Sequence, residues 1–429
     1  MPNNKRIFYA CQAVGISEMN KATPTMHILH GVQSVGINTA FNLEQVFELG
    51  QLQIYENIEG IPEVEVTLEK VLDGYPLIYT AATSSREAAG FNSAVGDGLA
   101  QRANNQCCLH LGIFDETNNT VSSFTPTTEV YMSGMYVSNV SYTMPADGNM
   151  TESITLAGNH KTWAPASGNK MTAAITVQLS GVGASGSASE RIGSDQPRDG
   201  VGAVGVARRE NFVMASSIMP KSIIKATSPS TSSASISTTS GNGYSSGTNS
   251  PTVHIQSVTV STDFGREDIF ELGRKFAYYR PATFPVEVTC EMEVISNSGD
   301  YVNALEQGDP EFHSTARTSG NNTSDETIKL IINNGYTFDL GTKNRLSSVN
   351  FAGGDAGGGN ATMTFSYTNF NDLTIIDFNS GVLTNSANGS SGVSPSGASG
   401  VSPGGSGLPP GGSGLPPGGS GLPFVPPSG

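Results

Sequence analysis

The chain has 429 residues, a formal net charge of -15, only 14% charged side chains, 51 glycines and 23 prolines. An acid excess of this size excludes a surface that grips phosphate backbones by counterion release, and the Gly, Ser, Thr and Asn content excludes a helical bundle. Four cysteines (Cys11, Cys107, Cys108 and Cys290) are too few and too irregularly spaced for a disulfide-stapled scaffold, and read as small apolar fillers kept reduced.

In chain order, the opening "MPNNKRIFYACQAVG" lacks the apolar stretch of a signal peptide. No apolar run reaches membrane-spanning length. Both point to a soluble protein made in a cytosol. Period-2 patterns between turn residues then dominate, which predicts a mainly β chain. The strand at 63–69 places Val64, Val66 and Leu68 on one face and Glu63, Glu65, Thr67 and Glu69 on the other. "SSREAAGFNSAVGDGLAQR" at 84–102 predicts a helix from Ser84 and Glu87 at capping-box spacing, shortened by Gly90, Gly96 and Gly98.

The stretch "EQVFELGQLQIY" at 44–55 returns as "EDIFELGRKFAY" at 267–278. Laid without a gap, residues 32–62 and 255–285 share twelve identities in thirty-one positions, Gln33, Ser34, Phe47, Leu49, Gly50, Tyr55 and Pro62 among them. Dropping one residue after the proline lays "VEVT" at 64–67 on "VEVT" at 286–289. The second strand then opposes Val286, Val288, Cys290 and Met292 to Glu287, Thr289, Glu291 and Glu293. Weaker likeness runs outward: "KRIFYACQAV" with "RRENFVMASS", "CCLHLGIF" with "TIKLIINN", and "MYVSNVSYTMPADGNMTESITLAG" with "NRLSSVNFAGGDAGGGNATMTFSY". A repeat this long means two sibling domains rather than a solenoid, whose units are short.

The expected organisation is domain copy 1 at 1–165, a Gly-rich connector at 166–207, copy 2 at 208–380 and a low-complexity Gly/Ser/Pro tail at 381–429. A Ser/Thr-rich insertion at 226–253 lies inside copy 2, and "DYVNALEQ" at 300–307 is the shorter counterpart of the first helix. The tail repeats "GGSGLPP" without glycine at every third position, so it is no collagen helix, and it has almost nothing to bury.

Reaction motifs are weak. Gly181, Gly183 and Gly186 satisfy G-x-G-x-x-G, but a Ser/Gly run follows where a nucleotide fold needs a helix. His27 with His30, and His110 near Cys107 and Cys108, lack the ligand count of a zinc site. Asp355 in "AGGDAGGGN" reads as a Gly-rich hairpin tip, since the alternating ligands of a calcium loop are missing. Serine is so abundant that a Ser/His/Asp order carries no information. No catalytic residue, cofactor or metal is assigned, and the chain reads as a non-enzyme.

Over "HGVQSVGINTAFNLEQVFELGQLQIYENIEGIPEVEVTLEKVLDGYPLIY" (30–79) the sequence resembles the tail-tube, or major tail, proteins of long-tailed bacteriophages. The resemblance implies a β-sandwich or β-barrel domain with a flanking helix, subunits closing into rings, sheets joined across subunits around a DNA channel, and rings stacked through long loops. A chain with two such domains would form trimeric, pseudo-sixfold rings. It also implies other tail proteins as partners, DNA passing without specific binding during ejection, and a place in the virion tail after assembly in the bacterial host cytoplasm. A surface decoration or adhesion module, and a neck or tail-terminator ring protein, are the alternatives.

Two residue sets follow. Phe47, Leu49, Gly50 and Tyr55, with Phe270, Leu272, Gly273 and Tyr278, form a repeated structural corner whose glycines suit a turn with positive φ. Glu63, Glu65, Glu69, Glu287, Glu291 and Glu293 are either a solvated outer face or the lining of a lumen.

Overall fold

In the computed structural model the described residues are 7, 11–19, 26–74, 76–83, 98–114, 126–165, 206–213, 220, 222–223, 254–274, 276–295, 325–332, 336–354 and 359–377. The Ser84–Glu87 capping box, the 300–307 helix, the 226–253 insertion, most of the 166–207 connector, the fingerprint glycines, Asp355 and the 381–429 tail lie outside them.

The first half contributes β1 (Gln12–Glu18), β2 (Met26–Ile28), β3 (Val32–Phe47), β4 (Ile54–Val71), β5 (Gln106–Ile113), β6 (Thr128–Pro145), β7 (Thr151–Gly158) and β8 (Thr162–Pro165). Helices α1 (Ile78–Ala82) and α2 (Leu99–Arg102) fall between β4 and β5. The second half contributes β9 (Phe212–Val213), β10 (His254–Asp263), β11 (Glu287–Ile295), β12 (Lys329–Ile332), β13 (Tyr336–Asp339), β14 (Arg345–Ala352), β15 (Thr362–Phe370) and β16 (Thr374–Asp377). The architecture is mainly β, and every strand pairing is antiparallel.

Strands β3, β4, β7 and the C-terminal half of β6 lie side by side in that order, and so do β10, β11, β15 and β14. The two arrays meet where β6 pairs with β10, from Asn139 opposite Asp263 to Pro145 opposite Ser257. Eight strands therefore run as one sheet from β3 to β14. The N-terminal half of β6 pairs instead with β5 and β8, and β5 continues to β1. That order, β1, β5, β6, β8, matches the separate sheet β9, β12, β13, β16. One 18-residue strand, β6, serves both layers in the first half; in the second half the same path is divided between β13 and β14.

Two bulges recur at matched places. β3 is irregular between Val32 and Ser34 and β10 between Ile255 and Ser257, so Gln33 and Gln256, identical in the repeat, are the extra residues. β6 is irregular between Val137 and Asn139, and β14 between Leu346 and Ser348. Beside the first bulge the Ser34 hydroxyl donates to Glu69 at 3.4 Å, and beside its counterpart Ser257 donates to Glu293 at 3.2 Å.

These anchors correct the alignment of the strand after the proline. Matching "VEVT" to "VEVT" lays Val64 on Val286, whereas the pairing registers lay Val64 on Val288 and Glu69 on Glu293. The second half thus carries one residue more at this point, Val286, not one fewer. A two-residue slide keeps every side chain on its own face, so hydrophobic alternation is blind to it.

The core lies on the inner face of the eight-strand sheet. Leu68, Ile154, Val140, Thr262 and Val288, opposed in turn across five strands, are all buried. Tyr142 on β6 stands 4.6 Å, centroid to centroid, from Phe338 on β13, which packs the smaller sheet onto the larger. Helix α1 fills the space between layers with Ile78, Tyr79, Ala81 and Ala82, all buried. Its first turn is closed by Glu152 of β7, whose carboxylate accepts the N–H groups of Ile78 (2.7 Å) and Tyr79 (3.0 Å) and the hydroxyl of Tyr142 (3.0 Å). The helix that the sequence predicts over 84–102 is described only at its end, as α2, and α1 lies ahead of it, at residues with no helical signal of their own.

All four cysteines are buried free thiols. Burial raises Cys107 and Cys290 far above the usual thiol range. Cys107 and Cys108 are both buried although they are neighbours, because β5 is covered on both sides: Cys108 touches Met19 and accepts from the Tyr131 hydroxyl at 3.3 Å.

Candidate functional site

Strand pairing carries side-chain alternation across the sheet. Glu69 lies opposite Ser153, Ser153 opposite Ser141, Ser141 opposite Ser261, and Ser261 opposite Thr289. Directly opposed residues project from the same side. Glu63, Glu65 and Glu69 therefore share one face with Glu287, Glu291 and Glu293, though the two rows are contributed by different halves of the chain. Five of the six are exposed and Glu293 is half-buried.

Between the rows the same face is made of Thr151, Thr155, Asn139, Thr143, Ser257 and Thr259, with Asp263 adding a carboxylate. Among the described strand residues whose register puts them on this face, Arg345 is the one Lys or Arg, and it pairs with Asp325 at 2.9 Å. Alternate residues on a strand stand about 7 Å apart, inside the roughly 8 Å Debye length of physiological salt. Within each row the carboxylates consequently reinforce one another as a negative field on anything that approaches closely, while the hydroxyls between the rows offer hydrogen bonds to water.

The repeated corners are exposed turns. The Glu48 carbonyl accepts the Gln51 N–H at 3.2 Å, and the Glu271 carbonyl accepts the Arg274 N–H at 3.4 Å. Gly50 (φ 91°) and Gly273 (φ 88°) sit at the third position of each, the place where a type II turn needs positive φ. Behind each turn, Val46 opposite Glu56 is matched by the bridge of Ile269 with Tyr279. Phe47, Leu49, Tyr55, Phe270, Leu272 and Tyr278 all face outward, and the two leucines are fully exposed at 103% and 105%. The second corner is held by Arg280, which grips Asp268 with two nitrogens, and by Arg266, whose guanidinium donates to the carbonyls of Val137 and Ala103. Burial lowers the Arg266 pKa to about 10.

One arrangement was invisible in the sequence. Ser17, His110 and Glu129, on adjacent strands β1, β5 and β6, form a chain: Ser17 Oγ lies 3.0 Å from His110 Nε2, and His110 Nδ1 lies 2.6 Å from Glu129. With Nδ1–H donating to the carboxylate, Nε2 accepts from the serine hydroxyl. The order matches a hydrolytic triad, but Ser17 is buried inside a continuous strand rather than raised on a sharp strand-to-helix turn. Ser17, His110 and Glu129 are all buried, and together they tie the three strands with polar contacts. Among the described residues no group of three or more His, Cys, Asp and Glu could hold a metal ion, and no helix is long and apolar enough to cross a membrane.

No protein-family model and no curated protein matches the chain. Solved structures similar to part of it include the tube-terminating cap of the anti-feeding prophage (12% identity, 39% of this chain and 95% of that one, TM-score 0.27). Another is the sheath-tube complex of an extracellular contractile injection system in the extended state (12% identity, 38% and 94%, TM-score 0.26). TM-scores of this size lie below the level at which a shared fold can be read from a superposition.

Proposed function

We propose that the chain is a non-enzymatic virion structural protein: a tail-tube building block of two sibling sandwich domains that assembles into stacked, trimeric, pseudo-sixfold rings around an acidic channel for DNA. The observation that carries this reading is the single polar face of the eight-strand sheet, on which both halves place their glutamates with almost no cation among them. A polyanion sliding over it meets repulsion and water rather than fixed contacts. The matched strand orders, the two matched bulges and the paired Ser–Glu hydrogen bonds support an internal duplication, with copies at 1–165 and 208–380. The tail-tube resemblance of residues 30–79 supplies the context, in which self-contacts and other tail proteins are the partners. The exposed corners at Leu49 and Leu272 suit contacts from one ring to the next.

Negative-stain microscopy of the purified full-length chain tests the reading. Hollow rings or tubes with threefold or pseudo-sixfold symmetry are expected. Persistent monomers that adhere to host cells would overturn it in favour of a decoration or adhesion module.

A further inference from the structure

The chain contains a worked example of how its two halves join. The last strand of the first four-strand array, β6, pairs with the first strand of the second, β10. At the far ends the same two kinds of edge are left over: among the described residues β3 pairs only with β4, and β14 pairs only with β15.

We infer that β14 of one chain pairs antiparallel with β3 of the next copy of this chain, head to tail, in the register that the internal β6–β10 seam prescribes. The inference rests on the self-assembly reading above and adds the surface, the partner strand and the alignment. The matched bulges fix the correspondence: Ser34 with Ser257, and Ser348 with Asn139. Transferred through it, Val260 opposite Tyr142 becomes Ile37 opposite Phe351. Thr262 opposite Val140 becomes Thr39 opposite Val349, and Ser261 opposite Ser141 becomes Asn38 opposite Asn350.

Three observations favour this seam. The transferred register sets Ile37 against Phe351 and Thr39 against Val349 on the core side, as the internal seam sets Val260 against Tyr142 and Thr262 against Val140. It sets small residues, Asn38 and Asn350 among them, against one another on the acidic side, which an odd-numbered shift would reverse. In the internal seam Val260, Tyr142 and Val140 are wholly buried, whereas at the free edges Phe351 is 55% exposed and Ile37 and Val349 are half-buried. Finally, an edge meant to stay free is blunted by lysine, proline, charge or a bulge. Ser34–Ala40 of β3 and Ser348–Ala352 of β14 contain no proline and no charged residue, and neither segment is interrupted by a bulge. Because the two edges differ, the contact is heterologous and propagates until it closes.

Cysteines at Asn38→Cys and Asn350→Cys in the full chain test this directly, since the four native thiols are buried. After oxidation or treatment with a short bifunctional thiol reagent, the double variant is expected to give a ladder of covalent multimers on denaturing gels. Each single variant should stay monomeric, and a mixture of the two singles should stop at dimer. Phe351→Asp, at an already exposed position, should remove the ladder and leave the circular dichroism unchanged. Dimers from either single variant would overturn the head-to-tail direction, and equal cross-linking of Asn38→Cys with Ala352→Cys would overturn the register. Rings in the microscope without a ladder would sink the seam while leaving the tail-tube reading intact; a ladder from open chains that never form rings would uphold the seam and sink the tube.

Discussion

Glu152 carries three donors in a site closed to solvent: the Ile78 and Tyr79 N–H groups that open α1, and the Tyr142 hydroxyl. Glu152→Ala strips all three of their acceptor. A buried unsatisfied donor costs about 1–3 kcal/mol, and the space vacated by the side chain lets water reach some of them, so the expected loss is about 3 kcal/mol. Glu152→Gln keeps one carbonyl acceptor but turns an amide towards an N–H, for a loss of about 1–2 kcal/mol.

The pH dependence gives the sharper test. Burial raises the Glu152 pKa above its ordinary 4.5, outweighing the backbone hydrogen bonds from Tyr79 and Ile78 that lower it. The folded protein therefore binds this proton at pH values where the unfolded chain has released it, and wild-type stability falls as pH climbs above about 4.5. Glutamine has no such proton. The stability gap between wild type and Glu152→Gln should accordingly narrow from pH 5 to pH 8 in urea unfolding followed by circular dichroism. A gap that widens with pH would mean that the ionised carboxylate is favoured by its site, and would refute the reasoning from burial.

Other outcomes follow from the same structure. Gly50→Ala and Gly273→Ala force a side chain into the left-handed region with no steric neighbour to relieve or worsen it, so each should cost about 1–2 kcal/mol in urea unfolding; no loss would place both turns in another conformation. Native protein should resist thiol reagents at pH 8 and release four reactive thiols only on unfolding, since Cys11, Cys107, Cys108 and Cys290 are all buried. Replacing Glu65 and Glu287 by lysine alters the exposed face and no core contact. Assembly should persist by microscopy while genome delivery falls in an infectivity assay, and unchanged infectivity would remove these residues from a lumen.

Much of the architecture could be read from residue order alone. The recurrence of "FELG" with its flanking strand located both corners, and strict alternation told which side of 63–69 and 287–293 carries carboxylates, because a pleated strand has a period of two whatever surrounds it. Shifts by an even number were invisible for the same reason, so the extra Val286 emerged only from hydrogen-bond partners. Short α1 leaves no mark in the sequence, because a five-residue buried helix has too few turns for a periodic signal. Ser17, His110 and Glu129 are far apart along the chain and meet only because β1, β5 and β6 are neighbours.

What the sequence determined by itself is therefore local: strand character, turn chemistry, the sidedness of each strand and the existence of a repeat. Only the tertiary structure decided that the two halves share one sheet, that their glutamates stand on one side of it, and that β3 and β14 are left as unlike edges. Pairing depends on which backbone donors and acceptors find each other across hundreds of residues, and no periodicity within a single strand encodes that choice.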